Sequence, residues 1–225
     1  MDEYRDLTYR QRWGLLAAVQ TAILNRLHDW FGLHIFGLYS RQLNIWEMPK
    51  AGVPGFSFRL FVQGEDDALI AHLKRPELGL SPQFIRFALE KGDVCNAILH
   101  DGMVVAYSWS AFTPTHVADG VYADFGKKCR YGYKLFTLPE YRGQHLPREF
   151  KACRDQYCLN DRGCTHSIAL VAFDNRSSIH AFQALGNRRV GFAGYLKRGR
   201  MFWSFITPGA RKFGFDFILP APGGR

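Results

Sequence analysis

The segment between residues 139 and 148 combines residue types that could bind a phosphate. It reads Pro139-Glu140-Tyr141-Arg142-Gly143-Gln144-His145-Leu146-Pro147-Arg148. An apolar stretch precedes it, and a helical pattern begins at Pro147, where the missing proline N–H would have had no partner anyway. The free N–H groups and the positive dipole end of a helix N-terminus attract anions, and Arg142 and Arg148 add full charges. The segment therefore predicts an anion site that suits a pyrophosphate.

The cysteines and histidines do not predict a metal site. The chain has five cysteines, without the two short Cys pairs of a structural zinc site, and its eight histidines lack an HExxH or H-x₃-H pattern. We expect the cysteines to be small buried hydrophobes in a reducing cytoplasm. No signal peptide is evident, and the least polar stretch, residues 13–24, is too short to span a bilayer.

Composition indicates a globular protein with an anionic partner. In 225 residues, 47% are hydrophobic, which is enough for one substantial core, and the formal net charge is +9. That charge suits a phosphorylated cofactor, an acidic carrier protein, membrane headgroups or nucleic acid. Because no run of five or more like charges occurs, we do not expect general nucleic-acid binding.

The elements that position the anion site alternate between strands and helices. Strands are predicted at 33–46, 56–62, 95–99, 103–110, 131–138, 166–173, 190–197 and 201–206, and helices at 14–31, 65–73, 82–91, 147–160 and after 175. Ser81 is the predicted N-cap of the helix at 82–91, and Asp101-Gly102 predicts a hairpin turn between the strands at 95–99 and 103–110. Residues 113–128 read as a loop because of Pro114, Gly120 and Gly126. The order is typical of an α/β fold in which ligands bind beyond the carboxyl ends of strands.

Two helices have faces that can be assigned from their spacing. In the first, Leu15, Val19, Ile23, Leu27 and Trp30 form an apolar stripe, interpreted as packing on the domain or, alternatively, docking on a membrane surface or carrier protein. In the helix that begins at Pro147, the predicted buried stripe is Leu146, Phe150, Cys153 and Tyr157. The residues predicted to face outward there are Arg148, Lys151, Arg154 and Asp155.

Two motifs resemble the GNAT (Gcn5-related N-acetyltransferase) superfamily. Residues 138–146 look like its acyl-CoA signature, a strand followed by a P-x-[YF]-R-G-x-G-[IL]-G turn and a helix. Asn175 with Ser178, then residues 182–186 and 190–191, resemble its later N-x-x-[AS]-x-x-x-Y-x-x-x-G-F element. The resemblance covers roughly residues 90–206.

The resemblance implies a mixed, mostly antiparallel central sheet, splayed open between strands 131–138 and 166–173 and flanked by helices. It implies a core at 81–210, with an N-terminal helix and strand elaboration at 1–80 and a C-terminal tail at 211–225. Acetyl-CoA or a longer acyl-CoA would insert into the gap, without a metal. The residues implied to bind it are Phe136, Thr137, Leu138, Arg142, Gly143, Gln144, His145, Leu146, Arg148, Asn175 and Ser178.

The turn departs from the family pattern at two positions. His145 and Pro147 replace small residues, which alters the phosphate cradle because proline has no N–H to donate. Phe182 stands where many members have the tyrosine that protonates the departing thiolate. Candidates for proton transfer are Glu140, Tyr133 and His180.

The function that the resemblance implies is an N-acyltransferase. An amine acceptor would attack the thioester of acyl-CoA, or of acyl carrier protein, directly. The alternative is a degenerate GNAT-like module that binds CoA or a partner without turnover. Peripheral membrane contact through the basic N-terminal helix is a third possibility, and neither the acceptor nor the oligomeric state can be read from the sequence.

Overall fold

The computed structural model describes residues 14–45, 54–143 and 147–220, which divide into two compact units. The first unit comprises Met1–Tyr39, His116–Ala123 and Leu170–Arg225, and the second comprises Ser40–Thr115 and Asp124–Ala169. The predicted division into an elaboration, a core and a tail stays a prediction.

Helices and strands alternate along the chain as the sequence patterns predict. The helices are α1 (Leu15–Phe31), α2 (Asp66–Ala71), α3 (Pro82–Glu90), α4 (Pro147–Asn160), α5 (Arg176–Ala184) and α6 (Pro208–Arg211). The strands are β1 (Leu33–Gln42), β2 (Phe56–Phe61), β3 (Val94–His100), β4 (Met103–Ala111), β5 (Thr115–Ala118), β6 (Val121–Asp124), β7 (Cys129–Thr137), β8 (His166–Ala172), β9 (Arg188–Arg198), β10 (Met201–Ile206) and β11 (Asp216–Ile218). Short 3₁₀ turns occupy Pro76–Leu78 and Pro139–Tyr141.

The second unit contains the strand order β8-β7-β4-β3-β2. The pairs β2–β3, β3–β4 and β4–β7 are antiparallel, whereas β7 and β8 are parallel. Helix α3 begins where the side chain of Ser81 accepts a hydrogen bond from the Phe84 N–H, as predicted for an N-cap. It packs its buried Ile85 and Leu89 into the same core as Trp109 of β4. The predicted fold class, a mostly antiparallel mixed sheet flanked by helices, is confirmed.

The first unit contains the strand order β10-β9-β1, with the end of β8 beside β1. The N–H of Phe173 donates to the carbonyl of Ile35 there. A second, three-stranded sheet has the order β11-β6-β5. The predicted loop at 113–128 is therefore wrong, because β5 and β6 lie within it. They flank Asp119 and Gly120, whose φ angles of 51° and 70° suit the tight turn of a hairpin.

The interpretation that the apolar stripe of α1 packs on the domain is wrong, and so is the outward face assigned to Arg154 and Asp155 in α4. In α1 the side chains of Leu15, Val19, Ile23 and Trp30 are exposed, and only Leu27 of the predicted stripe is half-buried. In α4 the two charged residues Arg154 and Asp155 are buried, although they were expected in solvent. Asp155 is buried because the guanidinium of Arg41 pairs with both of its carboxylate oxygens at 2.5 Å. Leu146 lies outside the described residues.

Among the described residues, no helix has both the length and the apolar character needed to cross a bilayer.

Candidate active site

Strand β7 has a backbone edge that only its first residues use. It pairs with β8 through Cys129–Tyr131 against His166–Ile168, and within the described residues that register ends there, although β7 continues to Thr137. On its other side β7 stays paired with β4 up to Thr137. From Gly132 onward, the β8-facing edge of β7 therefore has N–H and C=O groups that an extended ligand could pair with.

A bulge lies in the middle of this edge. Tyr107 of β4 is opposite Phe136, but Trp109 is opposite Tyr133, so Lys134 and Leu135 together face the single residue Ser108. Lys134 has a φ of 47°, a conformation that is uncommon outside glycine. A bulge turns backbone groups out of the ladder and is often found beside active sites. The bulge therefore bends β7 at Lys134 and Leu135, next to the part of the strand that β8 does not pair with.

The turn after β7 presents a basic, open surface. The Nε of Arg142 donates to the carbonyl of Thr137 at 3.1 Å, and its guanidinium lies 5.9 Å from the centre of the Phe136 ring. Gly143 is exposed and has a φ of 80°, and among the described residues, its chain neighbours aside, no heavy atom lies within 4 Å of where a Cβ would stand. A bulky anion can therefore approach the backbone closely at Gly143.

One predicted contact does not fit this conformation. The N–H of Leu138 donates to the carbonyl of Val105 at 2.9 Å, so it points toward β4 and is not offered to a ligand. The predicted cradle residues Gln144, His145 and Leu146 lie outside the described residues. Arg148 lies in the first turn of α4.

A partly buried tyrosine and a buried aspartate are hydrogen-bonded beside the middle of β7. The hydroxyl of Tyr133 donates to Oδ2 of Asp93 at 2.5 Å, and Lys91 pairs with Oδ1 of the same carboxylate at 2.8 Å. Burial raises the pKa of Asp93, against the opposing effect of hydrogen bonds from Lys91 and Tyr133. Burial, followed by the charge of Asp93, raises the pKa of Tyr133 far above its usual range. Tyr133 is therefore a neutral donor, and Asp93 is the group that could take up a proton.

Asp93 is a functional candidate that the sequence analysis missed. The available signal was a carboxylate placed between Gly92, which ends the helix, and the apolar strand that begins at Val94. Because the strand that follows is buried, the side chain of this aspartate is also buried and needs hydrogen-bond partners inside the protein. Its partner Tyr133, by contrast, was among the predicted candidates.

The two faces of β7 carry different chemistry because side chains alternate along a strand. Tyr133 lies on the face toward α3, where the ring of Phe84 is 6.4 Å away and that of Trp109 is 6.3 Å away. Arg130 lies on the other face, and its guanidinium donates to the hydroxyls of Ser110 and Ser167 at 2.9 and 2.8 Å. The face that carries Tyr133 is aromatic, and the opposite face is cationic.

The cationic face belongs to a buried cluster that holds α4. Arg41, Arg130 and Arg154 surround Asp155, and Arg154 lies 3.6 Å from its carboxylate. Burial lowers the pKa of Arg130. Burial and then the charge of Arg130 lower that of Arg154 to about 9. At neutral pH these guanidinium groups remain charged, so the nearby carboxylate of Asp155 stabilises their burial.

The remaining predicted residues are divided between the units. Glu140, in the second unit, pairs with Arg75 at 3.1 Å and is about half exposed, as a turn residue would be. Asn175, Ser178 and His180 lie in the first unit. The side-chain oxygen of Asn175 accepts from the Ser178 N–H and from the Ser177 hydroxyl, which makes it the N-cap of α5. His180 is exposed on that helix.

Within the described ranges, no group of three or more histidine, cysteine, aspartate or glutamate residues has an arrangement that could hold a metal ion.

No family model matches the sequence, and no curated protein does. Solved structures with similarity to this chain include a GCN5-related N-acetyltransferase from Kribbella flavida, 18% identical with a TM-score of 0.47 over 78% of this chain and 63% of that one. A tandem GNAT protein from the clavulanic acid biosynthesis pathway is 16% identical with a TM-score of 0.48 over 81% of this chain and 57% of that one. An aminoglycoside N-acetyltransferase in complex with CoA is 15% identical with a TM-score of 0.45 over 68% of this chain and 98% of that one.

This chain spans less than two thirds of the length of the first two of these structures. At these identities and TM-scores, the function of this chain is inferred from its own residues alone.

Proposed function

We propose that this chain is an acyl-CoA-dependent N-acyltransferase of the GNAT superfamily. The observation that supports this proposal best is the early end of the β7–β8 pairing, followed by a bulge at Lys134 and Leu135. Together they provide an unpaired backbone edge and a bend in the strand beside the basic turn at Arg142. An extended, phosphorylated thioester could pair with that edge and bind its phosphates at that turn.

Different residues of the second unit bind the pantetheine arm and the pyrophosphate. The backbone of Phe136 and Thr137 pairs with the pantetheine arm as an added strand would. Arg142, Gly143, the residues 144–146 and Arg148 bind the pyrophosphate at the N-terminus of α4. The resemblance also assigns Asn175 and Ser178 to acyl-CoA binding, and both residues lie in the first unit. Acyl-CoA, acetyl or longer, supplies the activated acyl group.

Asp93 and Tyr133 provide the proton acceptor for an amine. The amine acceptor delivers its proton to the Tyr133 oxygen while Tyr133 passes its own proton to Oδ2 of Asp93, so the carboxylate is the final base. The raised pKa of Asp93 makes it a stronger base than a solvated carboxylate. A CoA thiolate is a good leaving group because its pKa is about 8–9, which explains how Phe182 can replace the usual tyrosine acid.

Isothermal titration with acetyl-CoA, a long-chain acyl-CoA and acylated acyl carrier protein tests the binding half of the proposal. We expect Arg142→Gln and Gly143→Val to weaken CoA binding about tenfold or more, since each disturbs a charge-assisted or close backbone contact. Arg75→Gln is the matched control. Arg75 is an exposed arginine like Arg142, but it pairs with Glu77 and Glu140 and is not assigned to the phosphate site. Absence of binding to all three carriers would refute the proposal.

A second candidate function is carrier binding without turnover. It is favoured by the engagement of Leu138 N–H with Val105 and by the substitutions at His145, Pro147 and Phe182. This alternative predicts a normal titration with acyl-CoA but no release of free CoA with any amine. Detection of CoA release with a panel of small amines would exclude it. For either function we propose a cytoplasmic location.

A further inference from the structure

Helix α1 carries an exposed apolar stripe that the packing of its own unit does not use. The side chains of Leu15, Val19, Ile23 and Trp30 are 57%, 48%, 55% and 60% exposed. At 100° per residue these positions, together with Arg26, lie within about 80° of one another around the helix axis. Four large apolar side chains on one line are unusual at the surface of a monomer, where such residues are normally scattered singly.

The opposite face attaches α1 to the first unit. The half-buried side chain of Gln20 accepts a hydrogen bond from Arg176 at 2.9 Å, and Leu24 lines a cavity of about 190 Å³ with Leu33 and Ile35. Among the described residues of this unit, none covers the exposed stripe. The contacts of Gln20 and Leu24 on the other side of the helix attach α1 to the unit.

The β9–β10 hairpin extends the stripe. The Nη1 of Arg198 donates to the carbonyl of Trp30 at 2.9 Å, which joins the hairpin to the end of α1. Arg198 is paired in register with Met201, which is 56% exposed, and Trp203 on the same strand is 59% exposed. Leu15, Val19, Ile23, Arg26, Trp30, Arg198, Arg200, Met201 and Trp203 form what we call the α1–hairpin surface.

The α1–hairpin surface mixes apolar, tryptophan and arginine side chains. Arg26, Arg198 and Arg200 outweigh the nearby Asp29, and the guanidinium of Arg26 lies 5.9 Å from the Trp30 ring centre. Tryptophan and arginine beside aliphatic residues are the composition of helices that lie in the headgroup region of a bilayer. A second copy of the chain, docked symmetrically, would place this net positive surface against itself, which charge repulsion opposes.

We propose that the α1–hairpin surface binds the surface of an anionic membrane, with α1 lying in the interface plane. The apolar side chains would enter the headgroup boundary, and the arginines would contact lipid phosphates. The bilayer surface is the partner in this proposal. The proposal is independent of the acyltransferase function.

Co-sedimentation of the full chain with vesicles tests this proposal. We expect binding to phosphatidylcholine vesicles that contain phosphatidylserine, and much weaker binding to phosphatidylcholine alone. Arg26→Gln combined with Arg200→Gln should weaken binding to the anionic vesicles roughly 30-fold, from the usual contribution of an arginine near such a surface. Ile23→Glu should weaken binding at least as much, because it places a charge in the apolar stripe.

Phe87→Glu is the matched control, since Phe87 is 62% exposed on α3, outside the α1–hairpin surface. It should bind anionic vesicles as the unchanged chain does. Circular dichroism and thermal midpoints establish that each variant folds; if Ile23→Glu does not fold, the double arginine variant decides. Equal binding to both vesicle types, no binding, or equal weakening by Phe87→Glu would overturn the proposal. Two other results would also overturn it: self-association that Ile23→Glu abolishes, or binding to acidic carrier protein in place of vesicles that Ile23→Glu abolishes.

Discussion

The hydroxyl of Tyr133 lies 2.5 Å from Oδ2 of Asp93, a carboxylate that is completely buried. Tyr133 belongs to the strand with the unpaired edge, whereas Asp93 stands just before β3, 40 residues earlier in the chain. The tyrosine therefore connects the proposed acyl-binding edge to a buried group that can accept a proton. This relationship leads to the first two predictions.

Tyr133→Phe should slow acyl transfer by about 10²–10⁴-fold in kcat, because it removes the group through which the proton passes. The variant should also lose about 1–3 kcal/mol of folding free energy, since Asp93 loses a buried hydrogen bond. Steady-state CoA release and urea unfolding measure the two effects. Binding of acetyl-CoA by titration should change little.

Tyr107→Phe separates the proton-transfer role of Tyr133 from its structural role. The hydroxyl of Tyr107 is also buried and donates to the carbonyl of Leu78 at 2.7 Å. We expect a comparable loss of stability with an unchanged kcat. If both variants slow CoA release equally, the Asp93–Tyr133 pair acts only through stability.

Asp93→Asn should change how stability depends on pH. Because the folded pKa of Asp93 is raised above its unfolded value near 4, its stabilising contribution is complete below about pH 4. That contribution is lost as pH rises through the folded pKa. The free energy of unfolding of the unchanged chain, relative to Asp93→Asn, should thus fall between about pH 4 and neutrality. A relative free energy that rises or stays flat would contradict the assignment; Asp67→Asn, at an 88% exposed side chain, is the control.

Asp155→Ala should destabilise the chain by about 3–5 kcal/mol, because the buried guanidinium of Arg41 would lose both of its hydrogen bonds to the carboxylate. Glu140→Ala removes the partner of Arg75 in an exposed pair and should cost less than about 1 kcal/mol. Urea unfolding of both variants measures the contrast. Similar losses for the two variants would mean that the buried cluster contributes no more than a surface ion pair.

Gly32→Ala should destabilise the connection between α1 and β1 by at least about 3 kcal/mol. Gly32 has a φ of 66°, and an added Cβ would lie 2.1 Å from the carbonyl oxygen of Lys197. Gly199 has a similar φ of 59° but has open space around its Cβ position, so Gly199→Ala should cost only about 1–2 kcal/mol. Thermal unfolding distinguishes them, and equal costs would show that backbone strain alone matters at Gly32.

The sequence predicted the positions of most helices and strands, but it did not predict which helix faces are buried. Turn chemistry located most elements correctly: Ser81 caps α3, and Asp101 with Gly102 turns β3 into β4 at φ angles of 50° and 71°. The same signal was present at Asp119 and Gly120, where the neighbouring Pro114 and Gly126 suggested a loop and the β5–β6 hairpin was missed. Local residue types determine turns, because the backbone angles they require are local.

Part of the candidate site was also readable in advance. The strand, the basic turn and the helix at Pro147 follow one another in the chain, so their spacing alone predicts an anion site at Arg142 and Gly143. The bulge at Lys134 was not readable, because a bulge depends on the register against β4. Asp93 escaped notice for the same reason: nothing near it in sequence identifies Tyr133 as its partner.

The sequence by itself determined the order of the elements, the places where most of them end, and the basic turn beside a helix N-terminus, because these depend on neighbouring residues. Only the tertiary structure decided that Arg41 meets Asp155, 114 residues away, and that the apolar stripe of α1 faces outward. Periodicity defines the faces of a helix, but the partner available for each face is set by how distant strands pair. That partner determined whether Asp155 was buried and whether Ile23 was exposed.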